Sequence, residues 1–130
     1  MGLGVHFMAL SDRWATPAAL YAGLNDEFKF TMDPCPLDGT IDGTAPLFSN
    51  WGGQRVFCNP PYGPGIRPFL ERACDADVAV FLLPARTDVS WFHDIVLPFA
   101  KEIRFIRGRL YFGDNKGRAP FPSMIVVFKG

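Results

Sequence analysis

Leu20, Leu24 and Phe28 recur at four-residue intervals, a stripe that predicts an amphipathic helix over residues 18–28. Thr16 has the side chain of an N-cap and Pro17 suits a first turn, so the helix is expected to begin there. Beyond it the pattern shortens. Strands are expected over 30–33 and 56–58, and Val78-Ala79-Val80-Phe81-Leu82-Leu83 is the unbroken apolar run of a strand covered on both faces. From 34 to 55 Pro, Gly, Asp and Thr replace periodicity and predict a long loop, which in a compact domain is usually functional or mobile. Residues 66–74 read as a helix, and Ser90 as the cap of another through residue 96. Three strands are expected at 102–106, 109–112 and 124–128, antiparallel because their connections are short; residues 1–10 are weakly patterned.

Strands alternating with helices predict an α/β sheet with helices on its faces, parallel at its centre and antiparallel at its C-terminal end. Ligands of such sheets bind beyond the carboxyl ends of the strands. Asp33, Asn59 and Pro84 each follow a predicted strand and are expected to converge there.

The 130 residues suffice for one domain, 1–130, with one core. Hydrophobic residues at 48% and charged residues at 20% exclude a disordered chain. No apolar run approaches the roughly 20 residues of a membrane span. The N-terminus lacks a basic region followed by an apolar segment, so no signal peptide and a cytoplasmic location are expected. Cys35, Cys58 and Cys74 have no metal-ligand spacing and His6 and His93 are the only histidines, so no metal site is expected. Net charge is zero but unevenly placed. Residues 1–50 hold two basic and six acidic residues, residues 101–118 six basic and two acidic. The basic stretch suits a nucleic-acid surface, with a solvated strand pair as the plain alternative.

Asn59-Pro60-Pro61-Tyr62 carries the chemistry. An amino group on a nucleobase is a poor nucleophile because its lone pair is delocalised into the ring. Acceptors aimed at its N–H bonds favour the tetrahedral, nucleophilic form. Pro60 and Pro61 have no N–H, so the loop offers the Asn59 side-chain oxygen and the Pro60 carbonyl without competing donors. Tyr62 supplies a face for base stacking, worth about 1–3 kcal/mol. Gly63 and Gly65 allow close approach to the backbone. A rigid turn after a strand is the structural alternative.

Residues Asp12-Arg13-Trp14-Ala15-Thr16-Pro17, Met32-Asp33-Pro34-Cys35, the Asn59–Tyr62 loop, the stretch from Leu82 to Asp88 with Trp91-Phe92-His93, the stretch from Ile103 to Phe112, and Ala119 to Met124 together resemble the small phage-type DNA N6-adenine methyltransferases. The resemblance implies a reduced Rossmann-like methyltransferase sheet, S-adenosyl-L-methionine as methyl donor, DNA as partner, and catalytic roles for Asn59, Pro60, Pro61 and Tyr62. It implies a cofactor pocket formed by Trp14, Thr16, Pro17, Asp33, Pro34 and Cys35. If the chain is phage-encoded, its location would be the bacterial host cytoplasm.

Larger methyltransferases have a glycine-rich turn where this chain has Asp33-Pro34-Cys35-Pro36-Leu37-Asp38-Gly39. A second acidic strand end for the cofactor ribose is not apparent, and Asp38 or Asp42 would substitute. The open side of the pocket would be closed by the loop, by DNA, or by a second subunit in a homodimer. Arg86, Arg107, Arg109, Lys116 and Arg118 are the candidate DNA contacts, with Asp88 orienting Arg86. Alternation sets Arg109 and Tyr111 on one face and Leu110 and Phe112 on the other. Two other functions fit less closely: a methyltransferase for another amine (cytosine N4, an RNA base or a protein glutamine), and a non-catalytic DNA-binding module.

Overall fold

The computed structural model describes residues 14–35, 50–112 and 117–130. Asp38, Asp42, Lys116 and the weak pattern of residues 1–10 lie outside the described residues.

Helix α1 (Ala18–Phe28) buries Leu24 and Phe28, the stripe expected from the sequence. It ends where Lys29 turns to φ 55° and its N–H reaches the Asn25 carbonyl. The Phe30 N–H then donates to Asn25 Oδ1 at 3.0 Å, so one Asn side chain closes the helix exit. The strand expected at 30–33 is reduced to one parallel bridge, Met32 to Val56.

Four strands form the sheet: β1 (Arg55–Cys58), β2 (Val78–Pro84), β3 (Glu102–Phe105) and β4 (Ser123–Lys129). Their spatial order is β1-β2-β4-β3; β1 and β2 are parallel, and β4 is antiparallel to both its neighbours. All seven residues of β2 are buried. Ala79, Phe81 and Leu83 pack on one face against Ile66, Phe69 and Trp91; Val78, Val80 and Leu82 pack on the other against Leu24, Phe28 and Phe112. The strand thus takes part in two core layers, which is why its sequence shows no polar alternation.

Four local expectations need correction. Residues 109–112 are not a strand: among the described residues Tyr111 pairs in a single bridge to Arg118, and the fixed φ of Pro120 and Pro122 departs from the extended form an antiparallel partner needs. The helix expected over 66–74 is α2 (Ile66–Leu70) followed by a separate 3₁₀ turn, Ala73–Asp75. Between them Arg72 N–H bonds Phe69 O, an i→i+3 contact that tightens the chain out of the α form. The helix after Ser90 is a π segment, Phe92–Val96, running into α3 (Leu97–Phe99). Pro98 cannot bond the carbonyl four residues back and its ring crowds it, which accounts for the wider turn. Ser90 Oγ accepts from Arg67 Nη1 at 3.2 Å, and this helical segment has no side-chain cap bond. Thr16 does not cap α1 either. Pro17 occupies the N-cap, and the Thr16 hydroxyl is turned to Asn59.

Candidate active site

β1 ends at Cys58 and delivers Asn59 into the protein interior, 8% exposed. Asn59 Nδ2 donates to the Trp14 carbonyl and, at 3.1 Å, to Thr16 Oγ1. A carbonyl can only accept, so the Trp14 bond fixes which way the amide points. Asn59 Oδ1 then faces away from segment 14–16, buried and with no hydrogen-bond partner among the described residues. A buried acceptor left in this way costs about 1–3 kcal/mol, which a bound donor would recover. Ser123 Oγ, on the first residue of β4 opposite Pro84, is the other such atom among the described residues.

Pro60 and Pro61 are buried beside Asn59, and no peptide bond among the described residues is cis. Tyr62 is 7% exposed, and its hydroxyl donates to the Leu82 carbonyl at 3.3 Å. Burial, and secondarily Cys58, holds the phenol well above its ordinary pKa, so it remains a neutral donor. The Phe121 ring meets the Tyr62 ring at 5.4 Å and 63°. Phe121 also meets Trp14 edge-on at 5.2 Å, and Phe112 packs against both.

Two clefts open here. The larger, about 630 Å³, is bounded by Trp14, Tyr62, Pro84, Arg86, Trp91 and Phe121. The smaller, about 320 Å³, is bounded by Thr16, Tyr21, Asp33, Cys35, Phe57 and Asn59. Trp14 links them: its side chain lines the larger cleft while its carbonyl holds the Asn59 amide beside the smaller. Asn59 and Tyr62, three positions apart in the loop, thus line different clefts. Of the six residues expected around a cofactor, Thr16, Asp33 and Cys35 line the smaller cleft, whereas the Trp14 side chain lines the larger. Pro17 caps α1 and Pro34 is buried between Asp33 and Cys35. Asp33 Oδ1 accepts from Cys35 N–H at 2.9 Å, an Asx turn that fixes the carboxylate at the cleft.

Among the candidate DNA contacts, Arg86 stands at the rim of the larger cleft, 3.6 Å from Asp88. His93 Nε2 lies 2.7 Å from the Thr87 carbonyl and braces the same loop. Arg109, Tyr111 and Arg118 come together at the 111–118 bridge. The Arg118 guanidinium lies over the Tyr111 ring at 5.1 Å, and Arg109 Nη1 reaches the Ala119 carbonyl at 3.5 Å. Arg109 and Tyr111 are exposed and Phe112 is buried, the alternation expected even though no strand forms. Arg107 is exposed in the turn with Gly108, which has φ 73°. Arg104, in the same basic stretch, is engaged elsewhere, with Glu27 and Glu102.

Sequence reasoning left Phe121 and Trp91 without a role, although both fell in the segments that carried the resemblance. The signal for Phe121 was present: an aromatic held between two prolines in a segment that carried the resemblance. Ser90 was read as a cap, and nothing in the sequence tied it to Arg67 across 23 positions.

The Asn-Pro-Pro-Tyr loop thus lies beside two clefts where β1 ends in a mixed α/β sheet. A family model described as DNA N-6-adenine-methyltransferase (Dam) matches residues 6–129, and the chain belongs to that family. No curated protein and no solved structure matches the chain.

Proposed function

We propose that the chain transfers a methyl group from S-adenosyl-L-methionine to N6 of an adenine flipped out of duplex DNA. The observation that carries this reading is the unpartnered, buried Asn59 Oδ1, an acceptor whose direction the Trp14 carbonyl fixes. Membership of the family supplies the reaction class.

The smaller cleft suits the methyl donor. Its volume lies at the lower end of the roughly 300–1,000 Å³ range of small-molecule sites. Its walls combine the Asp33 carboxylate, the Thr16 hydroxyl and the Tyr21 and Phe57 rings, a donor set that fits a ligand with an amine and a flat base. S-adenosylmethionine, when bound, supplies an electrophilic methyl group. The larger cleft takes the target base, with Tyr62 and Phe121 as aromatic walls and Arg86 at the mouth for phosphate. Asn59 Oδ1 and the Pro60 carbonyl accept the two N6–H bonds and pyramidalise the nitrogen. With the donor bound, the nitrogen lone pair would form the new N–C bond as the donor's sulfur–methyl bond breaks, S-adenosylhomocysteine would leave, and one N6 proton would pass to water. Asn59 and Pro60 orient N6 and need not act as permanent bases, so positioning and fixed dipoles supply the rate.

Tyr62 is almost covered, and Oδ1 is enclosed by its neighbours. Entry of the base therefore requires Phe121 to swing from the Tyr62 ring, and the energy of stacking on Tyr62 offsets that movement.

The test is a panel of acceptors (duplex DNA, RNA and protein) incubated with methyl-labelled donor. Label in DNA alone is expected. Label in RNA or protein, or transfer to no acceptor combined with no calorimetric binding of the donor with or without DNA, sinks the reading.

A further inference from the structure

Among the described residues the exposed large hydrophobics are Leu97, Phe99, Phe105 and Tyr111, and three of the four fall within residues 97–105. These three sit on α3 and on β3. Among the described residues β3 pairs with β4 alone, so its other edge is open there. An open edge flanked by apolar side chains is a template for another strand.

The backbone shows which groups that edge presents. Ile106 N–H donates to the Ser123 carbonyl, one step beyond the Phe105–Met124 pair. In an antiparallel ladder, alternate residues direct both N–H and C=O to the same neighbour. Glu102 and Arg104 therefore face β4, as Ile106 does, and Ile103 and Phe105 present their backbone groups to the open edge.

We infer that a second copy of this chain pairs antiparallel with β3 across a two-fold axis at Ile103, continuing one sheet through both subunits. At that axis Ile103 exchanges backbone bonds with Ile103 of the partner subunit. Glu102 falls opposite Arg104 of the partner subunit, and Arg104 opposite the partner's Glu102, in the closely spaced type of pair. Moving the axis one residue either way sets Glu102 against the partner's Glu102 or Arg104 against the partner's Arg104, and like charges directly opposite are destabilising. The charge pattern thus selects the register at Ile103, in which residues 102–104 of the two strands overlap. Both charges already belong to one network, with Arg104 bound to Glu27 and Glu102, so the partner's Glu102 and Arg104 extend it.

The apolar residues agree with this register. Phe105 lies on the sheet face of Ile103, the face on which Val96, just before α3, is buried. Across the axis Phe105 runs toward Lys101 of the partner subunit, next to the end of α3. Each strand pairs three residues, 102–104, and the exposed Phe105 of each copy supplies the apolar surface beside them.

Sedimentation of the full chain without DNA tests the pairing and reads mass, so its outcome is separate from methyl transfer. A dimer is expected in the micromolar range, with Phe105→Ser and Ile103→Pro shifting it to monomer. Ile103→Pro removes an N–H that β4 does not use, at an edge position where proline is tolerated. Hydrogen exchange on the unaltered chain needs no variant: dilution should deprotect the Ile103 and Phe105 amides. A wild-type monomer at every concentration overturns the proposal. So does a dimer that both folded variants retain, or exchange at those amides that ignores concentration.

Discussion

The two ends of the Asn59 amide have different fates. Nδ2 ties the 14–16 segment to the end of β1, while Oδ1 has no donor among the described residues. Asn59→Asp separates the two roles. It sets a carboxylate oxygen against the Trp14 carbonyl, and should cost about 1–3 kcal/mol in a denaturant titration as well as lowering turnover. An unchanged midpoint would mean that the Trp14 bond does not hold the loop. Tyr62 divides in a similar way. Tyr62→Phe keeps the ring and loses the bond to the Leu82 carbonyl, so stability should fall by about 1 kcal/mol while kcat is nearly kept. Tyr62→Ala removes the stacking face and should raise KM for DNA about tenfold or more, the equivalent of 1–3 kcal/mol. Equal kinetics in the two variants would remove the ring from the site. The residue types of this loop were legible because each has a chemical reason to be there. The partition of Asn59 and Tyr62 between two clefts was not, since it depends on a backbone carbonyl 45 positions away.

α1 and β3 are far apart in sequence and are joined by charge. Arg104 Nη1 donates to Glu27 Oε1 at 2.7 Å, and its Nε reaches Glu102 Oε2 at 2.8 Å. The hydrogen bond from Arg104 is the largest cause holding both carboxyls below their ordinary range, and the same bonds, Glu27 first, push the guanidinium upward. A depressed carboxylate contributes stability above its unfolded pKa and loses it as pH falls through the folded value. The contribution is therefore present at neutral pH and disappears on the acid side. Glu27→Gln should flatten the acid limb of a stability–pH profile and leave its shape near neutrality unchanged. A parallel downward shift at every pH would point to packing instead. These partners are exposed, so the effect is modest and weakens with salt. The span of α1 was readable because its stripe and length agree, although Pro17 and not Thr16 stands at its N-cap. The break in residues 66–74 and the π segment were not, because they arise from i→i+3 bonding near Arg72 and from Pro98, which a four-residue periodicity does not register.

The two core layers leave the carboxyl edge of β1 and β2 to the clefts and residues 107–112 and 117–118 to one flank. Arg109 and Arg118 gather around Tyr111 there, and Phe112 joins that flank to Trp14 and Phe121 at the larger cleft. If this flank follows a DNA backbone, Arg109→Ala and Arg118→Ala should each reduce the slope of log affinity against log salt by about one, with little change in sequence preference. An unchanged slope would leave the flank as a solvated surface. The α/β class and the parallel-then-antiparallel order were legible from alternating elements and short final connections. The pairing of β4 between β2 and β3 was not, because adjacency in a sheet is decided by which apolar faces meet. The central claim is that adenine N6 is the accepting atom and Asn59 Oδ1 its acceptor. The most direct measurement is mass spectrometry of nucleosides from DNA treated with the wild-type chain and with a folded Asn59→Ala variant. The account predicts N6-methyldeoxyadenosine from the wild type and a loss of at least about 10²–10³-fold in the variant. Methyl on cytosine, or undiminished N6-methyldeoxyadenosine from the variant, would contradict it.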